Sequence, residues 1–434
     1  MTGEGAKVQL LGWLAVCLLI VLFCRRNISL LASIGLIMYL AVPSVARGVF
    51  VGSGSPMHPA TIFVVVAVFW VLLTKIQVLG ATAVASIGRA LLLLVLALHA
   101  ILLTFIGTGS LGQLFNSLIG PMLLLGLVAA SVTVGGREAS LACAKVILVG
   151  ALFQALLGLI QVVVGRPIFY ESQYSKFYWF DSEEFSRALG TLDSALDLAL
   201  LLVIAIPLTV FIQANVARIG AVALLLAGVF ATQSRLGVVL ALAGTLYVAM
   251  SGETLKARLV TALGVVTCGF GLLLSRFGQD FLERAGNATG STMRRSEATD
   301  YIIDNVFNKF LIGGGFNSSF SLRSGGILGS SLENGFAMYA FDFGWLASAG
   351  ILIVLSVISG RCLIKKVYHG AVSMLVMITM LAGYSSFMTQ SASGAIMFFV
   401  AGVFAAAQSS RVGSHESDRN ALFGSIHATA EIRV

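Results

Sequence analysis

The chain has 434 residues, of which 58% are hydrophobic and only 11% are charged, and its formal net charge is +8. Soluble globular proteins carry roughly 25% charged residues, so a water-exposed fold of this size could not cover its surface with so few charges. The composition therefore excludes an ordinary cytosolic enzyme, a disordered chain and a nucleic-acid-binding domain.

Apolar runs recur along the whole chain, and a transmembrane helix needs about 20 apolar residues. They predict an all-α polytopic membrane protein with about 12 to 14 transmembrane helices in a single domain over residues 1–408. The predicted spans are 8–24, 28–46, 59–74, 90–107, 114–134, 142–164, 194–214, 219–232, 236–250, 258–277, 335–359, 370–388 and 391–408. The polar segment 409–434 is predicted to be a disordered cytoplasmic tail.

Basic residues are unevenly distributed over the short turns between these spans. One side of the alternating spans holds most of them, including Arg25, Arg26, Lys75, Arg137 and Arg361. The positive-inside rule assigns that side to the cytoplasm and the opposite side to the exterior. Arg25 and Arg26 follow the first apolar run instead of preceding it, so this run is predicted to be a retained helix and not a cleaved signal.

Two long polar segments, 165–193 and 278–334, both fall on the predicted exterior side. Binding and catalytic groups concentrate in loops of this kind. The first loop is rich in aromatic residues, among them Tyr178 and Trp179, which are interleaved with acidic residues. Two compatible interpretations are open: an aromatic belt at the membrane interface, or a platform on which sugar rings stack.

The second loop contains the segment 292–307, in which Ala298, Tyr301 and Ile302 recur at helical spacing. This pattern predicts an amphipathic helix at the membrane surface. Arg294 and Arg295 are expected in its first turn, where cations oppose the helix macrodipole. A bound anion would explain them, because the helix N-terminus and two guanidinium groups would face it together. The alternative is a solvated charged helix end.

Three further positions next to apolar spans are candidates for function. Arg187 and Arg235 lie at exterior turns that the positive-inside rule disfavours for arginine, although snorkelling to lipid headgroups is an alternative. Glu333 is the last acid before an apolar run, and Asn334 follows it. Partial loss of water around this carboxylate would make it a usable general base; the alternative is an acid favoured by the helix dipole.

Other motifs carry no functional prediction. The segment 107–112 fits GxGxxG, but no strand precedes it, so a nucleotide site is not expected. The glycines at 313–315 lack a P-loop lysine. The five cysteines form no CxxC pair, so neither a disulfide framework nor a zinc site is predicted.

The order of several short motifs resembles the bacterial O-antigen ligase and Wzy-type polysaccharide polymerase superfamily over about residues 150–360. The motifs are Arg187-Ala-Leu-Gly-Thr191, Gln233-Ser-Arg235, the arginine-led helix, Phe310-Leu-Ile-Gly-Gly-Gly315, Leu332-Glu-Asn334 and Phe343-Gly-Trp345. This resemblance implies a GT-C-type membrane glycosyltransferase that acts on undecaprenyl-diphosphate-linked glycans at the periplasmic face of the bacterial inner membrane. It also implies a chain-length regulator and a flippase as partners in the same membrane.

The ligase branch of this superfamily typically has His-Asn where this chain has Glu333-Asn334, so the polymerase branch is favoured. We expect Arg187, Arg235, Arg294 and Arg295 to bind the diphosphate and Glu333 to orient or deprotonate the acceptor in an inverting transfer. Asn334, Tyr178 and Trp179 are expected to contact the substrate, and neither a metal nor another cofactor is expected.

Three alternatives to a polymerase stay open. The first is an O-antigen ligase or another glycan transferase, and the second is a transporter or flippase for the same lipid-linked sugar. Transporters place ionisable residues at the membrane midplane and often contain internal repeats, whereas here the charges lie in exterior loops and no repeat is clear. The third alternative is a non-catalytic membrane scaffold.

Overall fold

The structure is a computed structural model. It describes residues 3–407, except 53–54, 86, 108, 177–184, 186, 253, 276–277, 280–281, 284–288, 329–331 and 384–390. Every regular element in the described residues is helical. The predicted tail 409–434 lies outside the described residues, as do Tyr178 and Trp179.

The first part of the chain folds into apolar helices joined by short turns. They are α1 (Gly3–Cys24), α2 (Ile28–Ala41), α3 (Arg47–Val51), α4 (Pro59–Thr74), α5 (Ile76–Ala85), α6 (Ile87–Ile106), α7 (Leu111–Leu114) and α8 (Gly120–Val164). α8 breaks at Gly136, whose φ of 56° and ψ of −136° are not helical. Its two halves therefore correspond to the predicted spans 114–134 and 142–164.

The second part contains both long helices and the short helices of the polar loops. They are α9 (Glu171–Tyr174), α10 (Ala195–Ala205), α11 (Asn215–Ala231), α12 (Arg235–Met250), α13 (Leu255–Leu274), α14 (Thr289–Asn305), α15 (Lys309–Ile312), α16 (Ser318–Ser324), α17 (Gly335–Phe343), α18 (Trp345–Ile364), α19 (Tyr368–Ala382) and α20 (Ser391–Ala407). Side-chain caps explain several of the starts, because a Ser, Thr or Asn oxygen accepts a hydrogen bond from the first turn. The capping residues are Asn27, Ser194, Ser234, Thr254 and Asn334.

The lengths of the apolar helices agree with those of a membrane protein. Among the described residues, four helical stretches are long and apolar enough to cross a membrane: Gly5–Cys24, Leu111–Val164, Leu255–Leu272 and Trp345–Ile364. Two further pairs qualify when each is taken as one span, and they are bent by 86° between α2 and the Ser44–Val51 helix and by 98° between α4 and α5. Shorter apolar helices of 10–17 residues accompany them. The prediction of an all-α fold is thus confirmed for the described residues, and their four to six candidate spans agree with a membrane protein; the number of 12 to 14 spans stays a prediction.

Some predicted boundaries are wrong. The span expected at 335–359 is divided at Gly344, whose φ is 86°, into the short helix α17 and the long helix α18. A Cβ at Gly344 would lie 2.7 Å from the carbonyl oxygen of Leu311, so close backbone approach dictates the break. The second span ends at Ala41 instead of residue 46, and α5 occupies a segment expected to be a turn.

α8 forms the centre of the bundle and packs most extensively against α20, α2 and α11. Small residues allow this close packing, as is usual between membrane helices. The α-carbon of Gly402 on α20 faces Val128, and that of Gly150 faces Leu40. A large buried core results, which surrounds both halves of α8.

The turns at one end of the bundle are linked by polar and glycine contacts, and we name this end the loop end. The links join Ser44 to Asp193, Pro56 to Asn116, Thr232 to Arg187, and Thr104 to Phe316. At the opposite end, Lys75 Nζ donates to the Arg26 carbonyl oxygen at 3.3 Å. The basic turns assigned to the cytoplasm at Arg26 and Lys75 therefore do lie together.

Glycines hold the second loop against α6 and the break between α17 and α18. A Cβ at Gly107 would lie 2.5 Å from the carbonyl oxygen of Gly314, and one at Gly109 would lie 2.5 Å from that of Phe316. Gly313 has a φ of 93°, and a Cβ added to it would lie 2.6 Å from the carbonyl oxygen of Asp342. The glycines therefore have a packing role, and they fix the position of residues 313–316.

We expect Gly313→Ala to destabilise the protein by about 3 kcal/mol or more, because a Cβ there meets backbone atoms that cannot move aside cheaply. Gly326→Ala is the matched control: Gly326 also has a positive φ, of 69°, but a Cβ added to it would have no neighbouring atom within 4 Å. It should cost only about 1 kcal/mol of conformational strain. Thermal unfolding in detergent measures both. Equal losses for the two variants would contradict the packing role.

Candidate functional site

Two of the predicted arginines start from adjacent stretches of backbone at the loop end. Arg187 Nε donates to the carbonyl oxygen of Thr232 at 3.0 Å, and the next residue, Ala188, donates its N–H to the carbonyl oxygen of Ala231 at 2.9 Å. Arg235 begins α12 three residues after Thr232. The structure therefore brings Arg187 and Arg235, which are far apart in sequence, to the same turn. Both residues are half-buried.

The turn between α11 and α12 is short and rigidly built. Thr232 is buried and donates its hydroxyl to the Val229 carbonyl oxygen at 2.7 Å. Gln233 adopts a left-handed φ of 54°. Ser234 then caps α12, accepting from the Gly237 N–H at 3.1 Å. Arg235 is therefore the first residue of α12, next to the free backbone N–H groups at the N-terminus of this helix.

Arg187 is placed by a buried non-helical segment, 188–193, that lies among helices. Its backbone groups are satisfied by two buried glutamines of α8, Gln154 and Gln161. Gln161 accepts from the N–H groups of Leu189 and Gly190, at 3.3 and 2.9 Å, and donates to the Gly190 carbonyl oxygen at 2.6 Å. Without such partners each buried polar group would cost about 1–3 kcal/mol.

Gln154 lies about two turns before Gln161 on α8 and bonds the same segment. It accepts from the Thr191 N–H at 2.9 Å and donates to the Leu40 carbonyl oxygen at 2.9 Å. Gly190 is needed between the two glutamines because its φ is 64° and any Cβ would collide with the Gln154 side chain. The Arg187-Ala-Leu-Gly-Thr191 motif is thus bound to α8 and to the end of α2.

Asp193 ties the end of the same segment to the bend after α2. Its carboxylate accepts from the Ser44 N–H at 2.6 Å and from the Ser44 hydroxyl at 2.9 Å. Burial raises the pKa of Asp193 to about 6, and the hydrogen bonds from Ser44 oppose that shift. The first loop is therefore anchored at both ends of its 188–193 segment.

We expect Gln161→Leu to lower the free energy of unfolding by about 3 kcal/mol or more, because it leaves three buried backbone groups of Leu189 and Gly190 without a partner. Gln77→Leu, in an exposed position on α5, is the control and should change stability by less than about 0.5 kcal/mol. Thermal unfolding in detergent distinguishes them. A Gln161→Leu protein as stable as the control would show that the hydrogen bonds of Gln161 to Leu189 and Gly190 are dispensable.

A second pair forms between the two halves of the second loop. Arg295 Nε lies 3.9 Å from Glu333 Oε2, and their side chains are 57% and 28% exposed. α14 begins at Thr289, so Arg294 and Arg295 lie in its second turn. The prediction that they lie in the first turn is therefore wrong. The side chain of Arg294 lies outside the described residues.

α14 presents the predicted apolar face to the bundle. Ala298 is buried and Tyr301 and Ile302 are half-buried against the core, whereas Asp300 and Asp304 are exposed. The amphipathic pattern is therefore confirmed. After α14, the Trp345 indole N–H donates to the Val306 carbonyl oxygen at 2.9 Å and ties the helix end to α18.

Glu333 has an unusual backbone conformation and directly precedes the residue that caps α17. Its φ is 52°, in the left-handed region. Asn334 Oδ1 accepts from the Ala337 N–H at 3.0 Å and caps α17. The predicted contact of Asn334 with substrate stays a prediction, and the structure shows its capping role.

Gln233 and Glu333 share one arrangement. Each is a non-glycine residue with positive φ, and each comes directly before the side chain that caps the next helix. Such conformations cost about 1–3 kcal/mol and cluster at functional sites. α19 packs against both α12 and α17, the helices that follow these two residues.

Sequence reasoning missed Gln154 and Gln161, although a signal existed. They are seven residues apart in an otherwise apolar run and so fall on one face of a helix.

No group of three or more His, Cys, Asp or Glu side chains in the described part of the chain lies close enough together to hold a metal ion. No family model matches the chain, and no curated protein matches it.

Proposed function

We propose that this chain is a membrane glycosyltransferase that polymerises undecaprenyl-diphosphate-linked oligosaccharide repeat units into a surface polysaccharide at the periplasmic face of the inner membrane. The observation that supports it best is the placement of Arg187 against the turn that leads into Arg235. Two arginines that start beside one turn supply guanidinium groups of the kind that bind the oxygens of a diphosphate. The motif resemblance supplies the identity of the carrier and of the reaction.

The Arg295–Glu333 pair supplies a further cation and the carboxylate that the reaction requires. In the proposed step, Glu333 takes the proton of the acceptor hydroxyl while that oxygen attacks C1 of the donor sugar. The bond between C1 and the diphosphate oxygen breaks, and its electron pair stays on the leaving diphosphate. Arg187, Arg235, Arg294 and Arg295 stabilise the charge that develops there. Attack from the opposite face inverts the anomeric configuration.

We expect Arg235→Ala to reduce polymerisation of the lipid-linked repeat unit by about 10²- to 10³-fold in kcat/KM, the usual loss when one fixed donor to a developing charge is removed. The control is Arg137→Ala, an exposed arginine beside the break at Gly136 in α8, which should retain activity. Reconstituted full-length protein and gel analysis of product length measure both. Undiminished product length with Arg235→Ala would contradict the diphosphate site.

Glycans that accumulate in a deletion strain separate this proposal from the ligase alternative. Loss of a polymerase leaves single repeat units on the lipid carrier, whereas loss of a ligase leaves long lipid-linked chains. Mass analysis of the accumulated lipid-linked glycans therefore decides between joining repeat units and transferring finished chains.

A further inference from the structure

We propose that the Arg295–Glu333 ion pair is a weak resting-state latch that a diphosphate-bearing donor opens, so that Glu333 becomes more available to the acceptor once the donor has bound. This proposal rests on the proposed function, because it concerns the order in which the same site is filled. It starts from one contact, the 3.9 Å approach of Arg295 Nε to Glu333 Oε2.

The two residues cannot perform their separate roles while they face each other. A guanidinium group that faces a carboxylate directs fewer of its N–H groups toward a phosphate. A carboxylate that faces a guanidinium likewise has less freedom to accept the proton of a sugar hydroxyl. The resting pair therefore opposes both donor binding and acceptor activation.

The geometry also makes the latch easy to open. The separation is longer than a charge-assisted hydrogen bond, which spans about 2.7–2.9 Å, and Arg295 is more than half exposed. Partly exposed ion pairs of this kind are weak. A diphosphate carries more charge and more acceptor oxygens than one carboxylate, so it displaces Glu333 from Arg295.

The positions of the two residues let one move without the other. Arg295 lies on α14, which is attached to the bundle through Ala298, Tyr301 and Ile302. The Glu333 side chain is 28% exposed, whereas that of Arg295 is 57% exposed, and Glu333 directly precedes the Asn334 cap of α17. The arginine side chain is thus the more movable partner.

The test is the affinity of farnesyl diphosphate for the full-length protein in detergent, measured by calorimetry. Glu333→Gln removes the competitor for Arg295, so its dissociation constant should fall about two- to fivefold. Glu297→Gln is the matched control, because Glu297 is an exposed carboxylate on α14, two residues after Arg295. It should change the constant by less than about 1.5-fold, since it removes the same charge without the latch.

A double variant isolates the pair. Arg295→Gln alone should weaken binding about tenfold, and adding Glu333→Gln to it should give no further gain. Unchanged or weaker binding by Glu333→Gln, an equal gain with Glu297→Gln, or a gain that persists without Arg295 would each overturn the latch while leaving the diphosphate site intact. Failure of the unaltered protein to bind farnesyl diphosphate would overturn the latch and the proposed function together.

Discussion

Non-helical backbone buried among apolar helices must have every N–H and carbonyl group satisfied, and this constraint governs the loop end. The segment 188–193 meets it in large part through Gln154 and Gln161, which bond the N–H groups of Leu189, Gly190 and Thr191 and the Gly190 carbonyl oxygen. Because water cannot substitute for these bonds inside the bundle, the segment has one arrangement and not several. The direction in which Arg187 leaves the backbone follows from that arrangement, as does its contact with the turn before α12.

Much of the architecture could be predicted because run length and charge distribution are local properties of the sequence. The apolar runs identify α1, α4 and α12 directly, and the basic turns at Arg26 and Lys75 do lie together. The break at Gly136 falls between the predicted spans 114–134 and 142–164. The break at Gly344 could not be predicted, since this residue resembles other helix glycines until its backbone neighbours are known. The position of Arg295 was off by one turn because α14 begins at Thr289, before the first apolar residue of its pattern.

The candidate site was only partly accessible from the sequence. The arginines and Glu333 could be selected because their charges conflict with their apolar surroundings. Their pairing could not be foreseen, because Arg187 reaches Thr232, and Arg295 reaches Glu333, only through the packing of the helices between them. The left-handed conformations of Gln233 and Glu333 have no sequence signal, since glycine or asparagine is the usual choice there. Tertiary contacts therefore determine them.

The glycine contacts of Gly107 and Gly109 with Gly314 and Phe316 divide the second loop into two parts with different tolerance to insertion. Residues 313–316 are pinned to α6 and to the break at Gly344, so a tag or epitope inserted there would have to separate backbones already in contact. Ahead of that point, α14 has a largely exposed surface and is held through few buried side chains. Reporter peptides and crosslinking probes for the loop end of this protein therefore belong before α15.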